Sequence, residues 1–365
     1  MASHGKNLSS DSKNGNVRIA SIAVATPPYT VNQSQAEEFL VRAYSDKLSK
    51  KNLAILRKIF AHPSILHRHV ALDDLNGLIN EHPDKRIARF TRWAVDLSSQ
   101  AILKALTPVG LTPDKVSGLV VNTCTGYICP GISTYLIEKL SMSNKTRAHD
   151  LVGSGCGGGI PNLQVCEDMA KGTDDGVIVC VSVEICSATF QMADDLSLVI
   201  SNALFADGAS ASVLWRRSEG LELIASSSYY EPESRDDIRY IYKNGQLHNQ
   251  LSAFLPKLTG KAVATVVTNL LKPRGLTPKD IQHWAFHPGG EKVINAIGDE
   301  LGLLKDHLQA TRAIMAKFGN MSSPTVFFVL REILDNRGIQ PGEWCVMVAF
   351  GAGLCAHAFL LRASE

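Results

Sequence analysis

An internal repeat restricts the fold more than any other feature of the chain. Leu204-Phe205-Ala206-Asp207-Gly208-Ala209-Ser210-Ala211 runs through Val213-Leu214-Trp215 to Arg216. Ala349-Phe350-Gly351-Ala352-Gly353-Leu354-Cys355-Ala356 runs through Phe359-Leu360-Leu361 to Arg362. Each is a glycine turn followed by an apolar strand that ends in arginine, which predicts two copies of one α/β unit. The break falls near Ser218-Glu219-Gly220. The flanking segments agree. Residues 17–25, 116–122, 176–183 and 345–350 are short β-rich runs, and 176–183 is apolar throughout, as in a strand buried on both faces. Residues 32–44, 92–106 and 261–271 read as helices. Another helix opens at Ser323 as N-cap, with Pro324 in its first turn. Residues 229–249 are polar and read as a surface excursion. Alternating helices and buried strands predict a layered α/β fold.

A chain of 365 residues, 45% of them hydrophobic, can bury the core that two such units need. Lys and Arg exceed Asp and Glu by only 37 to 35, so no basic footprint for nucleic acid exists. No apolar run reaches membrane-spanning length. Residues 1–16 are polar, lack the apolar core of a secretory signal, and read as a disordered tail. The eight cysteines form no CxxC pair, and no second Cys or His pair follows Cys124 and Cys129. They read as free thiols of a reducing, cytoplasmic compartment. His62, His67 and His69 lack acidic or cysteine companions, which argues against a metal site. With Arg57, Lys58 and Arg68 they read as a basic surface near a substrate entrance.

Three polar residues stand beside glycines at the ends of expected elements. Cys156 lies in Val152-Gly153-Ser154-Gly155-Cys156-Gly157-Gly158-Gly159, ahead of an amphipathic run. A helix starting there would aim its positive end at the sulfur and favour the thiolate. The same stretch also suits a tight packing turn around an inert thiol. His287 lies in Phe286-His287-Pro288-Gly289-Gly290, and Asn320 in Gly319-Asn320-Met321-Ser322-Ser323. A nucleophilic cysteine needs a basic partner, usually histidine. A histidine N–H and an asparagine amide can together donate to an oxygen that becomes negative. Thiol hydrolases use the same residue types, so the types alone leave the reaction open.

In order and spacing, these motifs and Leu204-Phe205-Ala206-Asp207-Gly208 resemble the type III polyketide synthases, the chalcone synthase-like family of the thiolase-like ketosynthase superfamily. The resemblance covers nearly all of the chain from Val17 and is to a bacterial-type member. It implies a thiolase-like layered αβαβα fold of two pseudo-duplicated halves. Residues 17–217 would carry the nucleophile, and 218–365 the histidine and asparagine. It implies a cytoplasmic, homodimeric acyltransferase acting on acyl-CoA and malonyl-CoA, with no metal and no bound cofactor. Cys156 would carry the acyl chain, while His287 and Asn320 assist malonyl-CoA decarboxylation. Products would be alkylpyrones or resorcinols, with a long fatty acyl group among the candidate starters. Alternatives are a short or aromatic starter giving a phloroglucinol, pyrone or naphthalene, and an enzyme like ketoacyl-ACP synthase III. A catalytically silent subunit and a thiol hydrolase are further readings.

The resemblance also implies cavity residues. Phe205 and Phe254 match a gate between the CoA tunnel and the cavity, and Gly245 a position whose size limits that cavity. Ser322 matches a serine beside the nucleophile, and Lys292 a contact to CoA phosphates. Cys124, Thr125, Cys186 and Thr189 match cavity walls, a small residue at Cys186 opening a tunnel for an acyl chain. Cys129 matches a residue that reaches into the partner subunit's cavity. Two departures stand out. Ala349-Phe350-Gly351-Ala352-Gly353 replaces the family's GFGPG loop, relaxing one backbone dihedral. Gly157-Gly158-Gly159 after the cysteine is expected to widen the space around the sulfur.

Overall fold

The first half of the computed structural model opens with β1 (Arg18–Ala25), β2 (Thr30–Asn32), α1 (Gln33–Tyr44), α2 (Lys50–Phe60), β3 (His67–His69) and α3 (Pro83–Leu106). It continues with β4 (Val116–Asn122), α4 (Ile132–Lys139), β5 (Arg147–Leu151), α5 (Gly159–Lys171), β6 (Val177–Ile185), α6 (Leu196–Leu204) and β7 (Asp207–Trp215). The second half starts with β8 (Leu221–Tyr230), β9 (Ile238–Lys243), β10 (Gln246–Leu251), α7 (Leu255–Leu271) and β11 (His283–Phe286). It ends with α8 (Glu291–Leu301), α9 (Gln309–Phe318), α10 (Thr325–Asn336), β12 (Trp344–Gly351) and β13 (Cys355–Ala363). The structure describes residues 16–243 and 245–364; the expected tail, Asn16 apart, lies outside them.

The repeat reappears as strand pairing. In the first half β4 runs parallel to β6, β6 antiparallel to β7, and β7 antiparallel to β1. In the second, β11 runs parallel to β12, β12 antiparallel to β13, and β13 antiparallel to β8. Order and direction match strand for strand, with β5 added at the first half's edge. The halves join where β1 meets β8 through Arg18–Glu222 and Ile19–Leu221, making one nine-stranded sheet.

Three apolar cores separate five layers. Between the halves, Ile160 and Leu163 of α5 and Phe327 and Leu330 of α10 share a core with Ile178, Met347 and Phe359. On the first half's outer face, Leu97, Ala101 and Ile102 of α3 pack on Leu119, Val179 and Val213. On the second half's, Val263 and Val267 of α7 and Ile297 of α8 pack on Val346 and Leu360. This is the thiolase-like αβαβα arrangement. Each buried aliphatic side chain contributes about 1.5–3 kcal/mol, so the central helices hold the halves in register.

Several elements differ from their sequence reading. The helix read as 92–106 begins at Pro83, with the His82 ring accepting from Asp84 N. Its first turns carry Asp84, Lys85, Arg86 and Arg89, which hide the apolar period. α7 starts at Leu255, before the expected 261. Ser323 is not an N-cap: Pro324 holds that position, and the Ser323 hydroxyl donates to Glu184 instead. Residues 229–249 are no surface excursion. They hold the end of β8 and the β9–β10 hairpin, and His248 and Asn249 are buried because α6 and its N-cap supply partners. Asn249 Nδ2 donates to Ser201 Oγ at 2.6 Å, and His248 Nε2 lies 3.3 Å from Asp195.

Candidate active site

After β5 the chain makes a single 3₁₀ turn, Gly155–Gly158, and enters α5. Gly155 has φ +52°, which favours glycine. The glycines beside Cys156 are close-approach positions. A Cβ on Gly157 would lie 3.2 Å from Gly351 N, one on Gly158 2.8 Å from Asn122 Nδ2, and one on Gly159 2.8 Å from the Phe327 ring. The expectation that these glycines widen the space is therefore corrected: they seat the turn against the β12–β13 hairpin and α10. Burial pushes the Cys156 thiol up to about 12, while a hydrogen bond from Ser322 pulls the other way. Desolvation thus favours the neutral thiol over the thiolate.

His287 follows β11, and its N–H donates to Val348 O at 2.8 Å, continuing the pairing with β12. Its ring is 1% exposed and stands edge-on to Phe350 at 5.0 Å between centroids. Neither ring nitrogen has a hydrogen-bond partner, and burial lowers the pKa to about 3, leaving a neutral imidazole. Asn320, just past α9, is fixed through its backbone: its N–H donates to Leu204 O and its carbonyl accepts from Ala206 N, both at 2.9 Å. Its Nδ2 lies 3.4 Å from Gly289 O, in the loop after His287. Its Oδ1 accepts from Ser322 N at 2.8 Å. That bond holds Ser322 at φ +61°, a strained conformation for a non-glycine residue. The Ser322 hydroxyl in turn reaches the sulfur of Cys156 and lies 3.5 Å from Cys124 Sγ. Ser322 and the Asn320 amide thus link the Cys156 turn to the His287 loop.

Beneath them lies a polar hub that the sequence reading did not assign. Glu184, fully buried near the end of β6, accepts at Oε2 from Thr123 Oγ1 (3.1 Å), Cys124 N (2.9 Å) and Thr125 Oγ1 (2.8 Å). Its Oε1 accepts from Ser323 Oγ at 2.6 Å. Burial raises its pKa, and four donors favour the carboxylate in return. Thr125, expected in the cavity wall, instead belongs to this framework, also accepting from Ile185 N at 2.9 Å.

Cys186, Thr189 and Phe205 do meet, around a cavity of about 60 Å³. Tyr240 on β9 joins them, hydrogen-bonded to Thr189; no motif in its polar segment signalled it. Gly245 is corrected. It sits at the hairpin turn with φ +73° and open space beside it, so its size limits no wall. Arg68 is corrected too. It is 7% exposed and donates to Gln33, Asn202 O and Phe205 O, so it braces the Phe205 segment from inside. Phe254, just before α7, is 72% exposed, Lys292 is exposed on the first turn of α8, and Cys129 is exposed in the 123–131 loop. Among the described residues no group of His, Cys, Asp or Glu could hold a metal, and no helix is long and apolar enough to cross a membrane.

The family model of chalcone and stilbene synthases matches the chain in two parts, its N-terminal domain over residues 5–216 and its C-terminal domain over 222–364. The chain belongs to this family. It is a type III polyketide synthase, a decarboxylative condensing acyltransferase of a family that uses CoA thioesters. A 1,3,6,8-tetrahydroxynaphthalene synthase of Streptomyces peucetius subsp. caesius is 30% identical over 352 residues, 94% of this chain and 92% of that one. An alpha-pyrone synthesis polyketide synthase-like protein of Mycobacterium tuberculosis is 27% identical over 359 residues, 94% and 90% of the two chains. The solved tetrahydroxynaphthalene synthase of Streptomyces coelicolor A3(2) superposes with a TM-score of 0.89 at 22% identity, over 96% of this chain and 99% of that one. A polyketide synthase of the brown alga Ectocarpus siliculosus gives 0.88 at 24%, over 97% and 100%. At such identities the structural likeness speaks to the fold, and it agrees with the five layers of the synthase.

Proposed function

We propose that Cys156 carries the growing chain of this synthase, with His287 and Asn320 donating to substrate oxygens. The Cys156 sulfur attacks the starter carbonyl, its proton passes to His287, and CoA leaves with that proton. Malonyl-CoA then loses CO₂, and the electron pair of the broken C–C bond moves into an enolate. Its oxygen accepts from His287 and Asn320, two neutral donors in a dry site. The enolate carbon bonds to the thioester carbonyl, the Cys156–acyl bond breaks, and the sulfur is free to reload. The observation that carries this reading is the pair of partnerless nitrogens on buried, neutral His287, beside an asparagine whose Oδ1 is already occupied.

For the starter, we read the apolar cavity beyond Cys186, walled by Phe39, Leu40, Val70 and Leu198, as the seat of a fatty acyl tail leading to an alkylpyrone or resorcinol. A short starter giving a naphthalene, as the Streptomyces relative's name describes, is the second reading. It is favoured by the bulk of Tyr240 and by a volume that suits only about four or five waters. Exposed Tyr127, Cys129 and Val152 at the strand ends beside β5 suit a homodimer face, with Cys129 reaching the partner. The eight free thiols suit a reducing, cytoplasmic location. The halves are read as 17–217 and 218–365.

The test feeds acyl-CoAs of about two to sixteen carbons with labelled malonyl-CoA and follows intact protein mass, CO₂ and products. An acyl adduct absent in Cys156→Ala is expected. Malonyl-CoA decarboxylation should fall at least about 100-fold in His287→Ala and in Asn320→Ala. No adduct and no CO₂ from any pair would overturn the reading.

A further inference from the structure

The cavity beside Cys186 adjoins a second one. Leu78 and Phe190 form walls of both, and the second cavity, about 320 Å³, opens between α1, the start of α3, residues 190–193 and the β9–β10 hairpin. The two spaces differ in chemistry. The first is lined mainly by aliphatic and aromatic side chains, its one cation, Arg68, being committed to Gln33, Asn202 O and Phe205 O, whereas Lys47, Arg86 and Lys243 surround the second. Its one lining carboxylate, Glu81, is already engaged, accepting from Arg89 Nε at 2.7 Å and Nη2 at 2.8 Å. Arg86 Nε lies 3.4 Å from Glu81 without an aligned hydrogen bond. His248, also in the lining, is held by Asp195 at 3.3 Å. Positive charge therefore exceeds negative charge in this vestibule.

Resting on the acyl-tail reading above, we propose that the vestibule receives the anionic far end of an ω-carboxyacyl chain. The starter class is then the CoA monothioester of an aliphatic dicarboxylic acid, whose methylenes cross between Leu78 and Phe190. The two chemistries in series give a length signature. A carboxylate that stops inside the apolar cavity is desolvated with only Arg68 near it, a cation already donating to Gln33, Asn202 O and Phe205 O, and is disfavoured. One that reaches Lys47, Arg86 and Lys243 exchanges water for charge-assisted contacts and is favoured. A purely apolar tunnel would prefer methyl-ended chains at every length.

The test compares acylation of Cys156 by methyl-ended and carboxyl-ended acyl-CoAs of matched length, from about six to sixteen carbons, as ratios of kcat/KM. The expected ratio favours the methyl end for short chains and crosses to favour the carboxyl end by about tenfold for long ones. Lys243→Gln, on the exposed rim, should cut the long-chain preference about threefold, and Lys47→Gln with Lys243→Gln about tenfold. Loading of methyl-ended chains with no crossover overturns this inference and leaves the acyl-tail reading standing. A crossover untouched by the double variant also overturns it, because the carboxylate would then be read elsewhere. If no chain of more than about six carbons acylates Cys156, the acyl-tail reading falls and this inference with it.

Discussion

Burial acts on Cys156 and His287 with opposite signs, raising the thiol to about 12 and lowering the imidazole to about 3, and in both it favours the uncharged form. With desolvation favouring the neutral thiol, its reactivity depends on a proton acceptor at the moment of attack. His287, with both nitrogens partnerless, is that acceptor in the proposed mechanism. His287→Gln should slow iodoacetamide alkylation of Cys156 at pH 7 at least about tenfold, read by intact mass. Equal rates would assign activation to the start of α5 instead. Cys156, His287 and Asn320 were legible in the sequence as candidates only, because each is a polar residue at an element end beside glycines, a local signal, and their roles rest on the family resemblance and the proposal above. Glu184 and Tyr240 were not. Their significance comes from Ser323 and Thr125 meeting one, and Thr189 and Cys186 meeting the other, across the fold.

Among elements, the Cys156 turn and the β12–β13 hairpin depend on each other's glycines. A Cβ on Gly351 would collide with the Ser154 carbonyl oxygen and lie 2.5 Å from Gly157 N, so backbone, not a flexible side chain, would have to move. Gly351→Ala should cost about 1–3 kcal/mol of stability. It should also displace the turn enough to reduce Cys156 acylation about 100-fold, the cost of a shift near 1 Å at a reacting atom. Denaturant unfolding and adduct formation on the same preparation check both. A variant that folds and acylates normally would show that this contact does not set the sulfur's position. The repeat was legible because both copies keep a glycine turn before an apolar strand. The start of α3 and the β9–β10 hairpin were not: Arg86 and Arg89 pair back to Glu81 just ahead of the helix and break its apolar period, and His248 and Asn249 find their partners only in the tertiary structure.

At the scale of the molecule, the proposed site sits where the copies meet. Cys156 comes from the first half, His287 and Asn320 from the second, and the Phe205–Asn320 bridge ties the halves beside them. Such a junction buries polar groups that acid can expose. His357 on β13 is fully buried, lies 2.8 Å from Ser228 Oγ through Nδ1, and has an unpartnered Nε2; burial lowers its pKa to about 4. Below about pH 6.5 the unfolded chain takes up a proton at this position and the folded chain does not, so stability falls as pH falls toward 4. Between pH 7 and pH 5 this one group should remove about 2 kcal/mol. Glu184 and Asp207, raised by burial, act in the opposite sense. They are common to native protein and variant, so they cancel when the native synthase is compared with His357→Gln. Urea unfolding at the two pH values should therefore show the native protein losing about 2 kcal/mol more than the variant, whatever the variant's stability at pH 7. Equal losses would mean that His357 is protonated in the folded state, and that the layer between β13 and β8 admits the water needed to solvate that charge.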